Sequence, residues 1–245
     1  IARCSLGGVR DYYNEDLLYK IFGINAELLI DHAWGYEPVT MDLIKAYKPE
    51  TNSIGSGQVL HCPSDFEQAK LIVREMTDML VLQLVEKRLV TSQIVLTIGY
   101  DIDNLKSSSG RKKYQGEIKT DRYGRKIPKH AHGTINLDIP TSSLKEITTA
   151  VSSLYDRIID KELLIRRLTL TATKVMPKEG QVYQQLDLFT DYEALKKEQE
   201  KERRLQKSIL DIKKKYGKNA VLRGLSYEEG ATTRTRNGQI GGHKA

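Results

Sequence analysis

The feature that most constrains this chain is a change of apolar period that repeats in a fixed order between Ser64 and Lys174. From Ser64 to Arg88, the residues Phe66, Ala69, Val73, Met76, Leu80 and Leu84 recur every three or four positions, the spacing of one helix face. The stretch "QIVLTIGYD" then alternates, with Ile94, Leu96, Ile98 and Tyr100 set against Val95, Thr97 and Gly99, as a half-buried strand does. After a basic excursion, "GTINLDIP" resumes the alternation through Ile135, Leu137 and Ile139. A second helical stripe follows, Leu144, Ile147, Val151, Leu154 and Ile158, with Ser142 or Ser143 as its N-cap. The last strand, "IRRLTLTATK", turns Leu168, Leu170 and Ala172 inward and shows Arg167, Thr169, Thr171 and Thr173 on its other side.

With a short strand over Ser56 to Leu60, the order is βαββαβ and the fold class is α+β: a four-stranded sheet with two helices on one face. The other face then carries Thr97, Thr134, Asn136, Thr169 and Thr171, a small, hydroxyl-rich surface that needs water or a ligand. Residues 1 to about 50 form a separate helical region. In it, "NEDLLYKIFGINAELLIDHAWG" gives two helices stopped by Gly23 and Gly35, with Asn14 as the first N-cap. The turn-rich linker "KPETNSIGSG" leads into the sheet domain, 51–176, which holds a basic hairpin insertion at 102–132. Residues 177–190 are a linker, 191–217 a charged helix, and 218–245 a flexible tail too poor in apolar residues to fold alone.

Charge is unevenly placed. The chain of 245 residues carries a formal +7, of which residues 103–129 (nine basic, three acidic) and 191–245 (fourteen basic, eight acidic) each hold +6, leaving −5 for the rest. Basic segments beside a mildly acidic body favour a polyanion, nucleic acid before membrane. Two cysteines, Cys4 and Cys62, make no disulfide framework and fit a reducing, cytoplasmic setting. No apolar run has the length of a membrane span. The first residue is Ile1, and the chain reads as a fragment lacking an N-terminal part.

Catalytic chemistry finds little support. Asp101 and Asp103 in "YDIDN" resemble a divalent-metal pair, yet no third ligand stands at compatible spacing, and strand exits commonly end in Asp and Asn. His130 and His132 are two ligands short of a metal site. No nucleophile elbow, phosphate-cradling glycine loop or zinc-cysteine pattern occurs. The excursion "NLKSSSGRKKYQGEIKTDRYGRKIPKHAHG" is more suggestive, because Lys112, Lys113 and their basic neighbours suit sequence-independent phosphate binding. Arg167 shares the threonine face by parity, whereas Arg166 has the parity of the core leucines. A last feature is "QVYQQLDLFTD", an apolar island with no periodic partner on either side.

Four segments, in order, make the chain similar to the C-terminal part of bacterial Y-family translesion DNA polymerases of the UmuC/DinB (ImpB/MucB/SamB) group. "LLYKIFGINAELLIDHAWGYEP" resembles the thumb, "NSIGSGQVL" the first strand of the little-finger domain, "LLIRRLTLTATKV" its last strand, and "QLDLF" the sliding-clamp-binding peptide. The resemblance implies a partial thumb, a little finger that lies along primer-template duplex DNA, and a tether. It assigns phosphate contacts to Ser53, Gly55, Ser56, Arg166, Arg167, Thr169 and Thr171, which hold the duplex without reading bases. It assigns clamp binding to Gln185, Leu186, Asp187, Leu188 and Phe189.

It further implies a role in DNA damage repair and the SOS response, in the cytoplasm at the nucleoid. The family's Mg2+-binding palm and its dNTP substrates belong upstream of the thumb, so this stretch is expected to bind DNA and clamp, to need no cofactor, and not to polymerise. Two other readings compete. An RNA-binding RRM-like module shares the βαββαβ order but stacks bases on exposed aromatics, where this chain has threonines. A palm-less accessory DNA-binding protein is the other.

Overall fold

The computed structural model describes residues 12–47, 52–106, 114–121, 124–178, 192–240 and 243–244. The chain divides into two compact units, Ile1–Glu50 and Thr51–Ala245.

The first unit holds α1 (Tyr12–Phe22), α2 (Asn25–Ala33) and α3 (Met41–Ala46). Gly23 and Gly35 end α1 and α2 at φ +58° and +75°, a left-handed conformation in which any side chain is strained. Asn14 falls inside α1, which begins two residues earlier, so it does not cap that helix. Ala26 is the one fully buried hydrophobic residue described here.

The second unit begins with β1 (Ser53–Ser64), far longer than the five residues its composition suggests. The elements α4 (Phe66–Glu86), β2 (Leu89–Tyr100), β3 (Ile118–Thr120), β4 (Lys126–Pro128), β5 (Ala131–Thr141), α5 (Leu144–Ile158) and β6 (Ile165–Pro177) follow. The main sheet is antiparallel throughout, in the order β1-β6-β2-β5, while β3 and β4 pair as a separate hairpin. Asp65 caps α4 by accepting from Gln68 N at 2.9 Å, and Ser143 caps α5 by accepting from Glu146 N.

Both helices lie on one side of the sheet. Ile94, Leu96, Ile98, Leu168, Leu170 and Ala172 meet the α4 stripe and Ile147, Val151 and Leu154 of α5 in one core. Gly133 lets α5 settle on β5, because a Cβ there would stand 2.8 Å from both Ile158 Cγ2 and Leu154 Cδ1. Ile139 departs from its expected place and is exposed, since the β2–β5 register shifts between the Asn136 and Thr141 pairings.

α4 is buried on more than one side: Leu71, Ile72, Glu75, Thr77 and Val81 are buried besides the expected stripe. The second cover is the C-terminal segment. α6 (Tyr192–Tyr216) packs against α4, and a 3-10 turn (Gly224–Tyr227) and α7 (Thr233–Asn237) follow, with β7 (Gln239–Ile240) pairing with β8 (His243–Lys244). The expected flexible tail is therefore corrected. It has too few apolar residues to fold alone, but it folds against α4. The buried Glu75 carboxylate accepts from Thr232 N at 2.7 Å and Thr233 N at 3.2 Å, and Arg223 pairs with Asp78.

Candidate nucleic-acid interface

Alternation along four paired strands fixes what the uncovered face of the sheet presents. Read across β1, β6, β2 and β5, one row is Ser53, Thr173, Gln93 and Asn136, and the next is Gly55, Thr171, Val95 and Thr134. A third is Gly57, Thr169, Thr97 and His132, and a fourth brings Val59, Arg167 and Gly99 together. The rows are cross-linked. Gln93 Nε2 donates to Asn136 Oδ1 at 2.7 Å, Thr173 Oγ1 donates to Gln93 Oε1 at 2.8 Å, and Thr97 Oγ1 lies 2.9 Å from His132 Nδ1. Such bonds orient the hydroxyls and amides in advance.

Three glycines keep this surface low. A Cβ on Gly55 would meet Thr171 Oγ1 at 2.6 Å and Leu170 O at 3.2 Å, so a side chain there would have to displace Thr171. A flat face of small donors admits another molecule's backbone. No Phe, Tyr or Trp stands in the four rows, whose one aromatic ring is the His132 imidazole bonded to Thr97, and Tyr100 is turned inward, where its hydroxyl accepts from Asp160 N. The paired aromatics on central strands that RRM domains use for base stacking are not present on this face.

The predicted residues separate on this grid. Ser53, Gly55, Thr169, Thr171 and Arg167 share the open face. Ser56 does not: it pairs with Leu170, and its side chain belongs to the helix-covered side. Arg166 is the extra residue of a bulge, between the pairings Gly99–Arg167 and Tyr100–Ile165. Its Nη1 donates to His61 O at 3.0 Å and its Nε lies 3.7 Å from Asp101 Oδ2, so it does not join Arg167. The parity of the core leucines that the sequence suggested for it is removed by the bulge. Lys112 and Lys113 lie outside the described residues, as do Gln185, Leu186, Asp187, Leu188 and Phe189.

Gln93, Gly57 and His132 were missed as members of the face, and extending the parity of β2 and lengthening β1 would have found them. Asp138 is exposed but sits in the irregular stretch between the Asn136 and Thr141 pairings, off the grid.

Around the face, the three acids of the basic hairpin engage four of its nine bases, and the stretch keeps its net +6. Lys129 and Lys119 reach Glu117, Arg125 reaches Asp121, and Lys106 reaches Asp103. The hydrogen bond from Lys129 holds the Glu117 carboxyl below its ordinary value, and the same bond raises Lys129. Asp101 and Asn104 do structural work: Asp101 Oδ1 accepts from Asp103 N, and Asn104 spans to Leu164 N and O at 2.8 Å. Among the described residues no three His, Cys, Asp or Glu gather as a metal site. No helix among them is long and apolar enough to cross a membrane.

The chain is 28% identical over 234 residues to UvrX of Bacillus subtilis (strain 168), described as a UV-damage repair protein. That match covers 94% of this chain and 47% of the relative, so the chain spans about half the length of the curated protein it matches. A solved insertion ternary complex of Dbh DNA polymerase is similar at 11% identity and a TM-score of 0.33, over 66% of this chain and 39% of that one. The model of the impB/mucB/samB family C-terminal domain matches residues 51–188, more than half of the chain and the whole of the four-stranded sheet, and the chain belongs to that family.

Proposed function

We infer that residues 51–188 hold primer-template duplex DNA by its phosphates, as the C-terminal DNA-binding region of a longer translesion polymerase acting in DNA repair. The observation that carries this is the open grid of hydroxyls, amides and glycines with Arg167 at its end. Family membership supports it, as does the low surface that a sugar-phosphate backbone can approach. Contacts of this kind fix register without reading sequence, which suits a polymerase that must accept altered templates. Ser53, Gly55, Thr169 and Thr171 contribute donors, and Arg167 contributes the paired N–H groups that match phosphate oxygens. Lys112 and Lys113 add charge from the hairpin. Arg166 positions the β6 entry through His61 and Asp101. Mg2+ and dNTPs are handled by the rest of the longer protein.

The segment Gln185 to Phe189 is the tether to a bacterial sliding clamp. Leu186, Leu188 and Phe189 fill an apolar cleft, at roughly 2 kcal/mol each before ordering costs, while Gln185 bonds at the rim and Asp187 spaces the leucines. Weak binding suffices, because DNA already held nearby raises the effective concentration.

Fluorescence anisotropy with a labelled duplex tests the first reading. Binding of the chain should weaken linearly in log–log salt and ignore sequence, and Arg167→Ala should weaken it roughly fivefold and lower the salt slope by about 0.9. Affinity indifferent to salt and to Arg167→Ala sinks it. In a parallel arm, capture on immobilised clamp should be lost in a Leu188→Ala/Phe189→Ala variant; retained capture removes the tether.

A further inference from the structure

The open face of the sheet carries only one arginine, while the C-terminal segment gathers cations just beyond its β1 edge. Asn237 Nδ2 donates to Asn219 Oδ1 at 2.7 Å and to Lys218 O at 3.4 Å, and Asn219 Nδ2 donates to Arg234 O at 3.3 Å. Lys213 Nζ donates to Lys218 O at 2.8 Å. These bonds bring the backbone at Lys218 and Arg234 together with the Lys213 ammonium, and Arg236 stands next to Asn237 in α7. Arg236 joins it to the sheet, donating to Gln58 Oε1 at 3.2 Å and to Gly57 O at 3.3 Å. Gly57 is the β1 member of the third row of the open face.

Among the described residues none of the four cations is within ion-pair distance of a carboxylate. Elsewhere the segment does pair its charges, Lys214 with Glu86 and Arg223 with Asp78. Glu75 is the acid that acts on Arg236, and its oxygens are already taken by Thr232 and Thr233. Burial pushes both Arg236 and Lys213 below their ordinary values, so gathering them has a cost. Asp78, already paired with Arg223, is the acid that acts on Lys213, and a group of cations on a braced backbone with no ion pair of its own suits a polyanion. A four-stranded face is about 14 Å across, narrower than a duplex, so bound DNA overhangs an edge.

We propose that Lys218, Arg234 and Arg236 form a second phosphate-binding track, which extends the DNA surface of the sheet around the β1 edge. This rests on the reading of the sheet face as a DNA surface. Lys218 and Arg234 are exposed and free to reach phosphate, and Arg234 lies over the exposed Tyr227 ring at 5.3 Å, which stiffens it. Arg236 props the cluster on β1.

The test measures duplex affinity and salt slope for the 245-residue chain, for a Lys218→Gln/Arg234→Gln variant and for Arg167→Ala. Both glutamine substitutions are at exposed positions and leave Arg236 in place, and thermal denaturation checks that the variants remain folded. The double variant should bind about tenfold more weakly and lose about 1.8 from the salt slope. Unchanged affinity and slope in the double variant, with loss in Arg167→Ala, overturns the track and leaves the sheet reading standing. Loss in the double variant alone would leave phosphate binding by Lys218 and Arg234 but overturn the sheet reading, and with it the proposal that the track extends the sheet. Loss in neither overturns both.

Discussion

Two layers close over α4, and they are attached by opposite chemistry. α5 is fastened by Ile147, Val151, Leu154 and Tyr155, all at most 1% exposed, with a single buried polar bond from the Tyr155 hydroxyl to Phe66 O at 2.8 Å. Burial raises the Tyr155 phenol far above its ordinary value, so it stays a neutral donor. The C-terminal layer buries Gln206, Ser226 and Thr233, and among the described residues beyond 191 no hydrophobic one is fully buried. Ile209, Leu210, Val221, Leu222 and Leu225 are half-buried, and a set of directional bonds adds to what they contribute. Glu75 holds the start of α7, Asp78 holds Arg223, and Glu202 of α6 accepts from Leu144 N at 2.7 Å and Ser143 Oγ at 2.8 Å. An apolar seam is insensitive to which single bond is lost and fails only with the whole core. A polar seam can be opened bond by bond while the domain beneath stays folded.

The largest effect should come from the apolar seam. Leu154→Ala removes a fully buried side chain that lies against Gly133, and should cost about 3 kcal/mol of the global unfolding free energy in urea. Glu75→Ala should act differently. It leaves the Thr232 and Thr233 N–H groups without their acceptor, at a cost of about 2 kcal/mol, but that cost should be local. Hydrogen exchange should quicken across 223–238 while the amides of β2 and β6 keep their protection. Equal loss of protection in the sheet and in the C-terminal segment would break the distinction between the two seams.

The same contrast decides what the sequence reveals. α4, β2, α5 and β6 were legible because an apolar seam writes its period into the chain. β1 was read too short because an edge strand of Gly, Ser and Gln contributes little to the core beyond Ile54 and Leu60. The C-terminal layer was illegible as structure because its bonds to the rest of the unit join residues from 53 to 179 positions apart, and no period announces them. One signal was present: Leu71 lies on the side of α4 turned away from the stripe, beside Glu75 and Asp78, whereas Ile72 and Val81 flank the stripe and join the sheet core. On the open face, Arg167, Thr169 and Thr171 followed from parity, whereas the bulge that removes Arg166 depends on pairing geometry that alternation does not record. Ser56 was grouped with Gly55 by nearness in sequence, although neighbours in a strand face opposite ways.

The smallest effect sharpens the comparison most. Arg223 and Asp78 are part-exposed, with side chains 39% and 23% accessible, so solvent and salt screen their attraction. Arg223→Ala should cost only about 0.5 kcal/mol, below what a global unfolding curve resolves well. Local exchange at Gly224 to Tyr227 is the suitable readout, because the 3-10 turn begins next to Arg223. At low ionic strength the variant should exchange faster there than the parent chain. At high ionic strength the two should converge, since salt has already removed most of what the substitution removes. Leu154→Ala should show no such convergence, its deficit being the same at both salt concentrations. A gap between Arg223→Ala and the parent that survives high salt would mean that the arginine holds the turn by packing its aliphatic stem on α4, and the C-terminal seam would then be less polar than its hydrogen bonds imply.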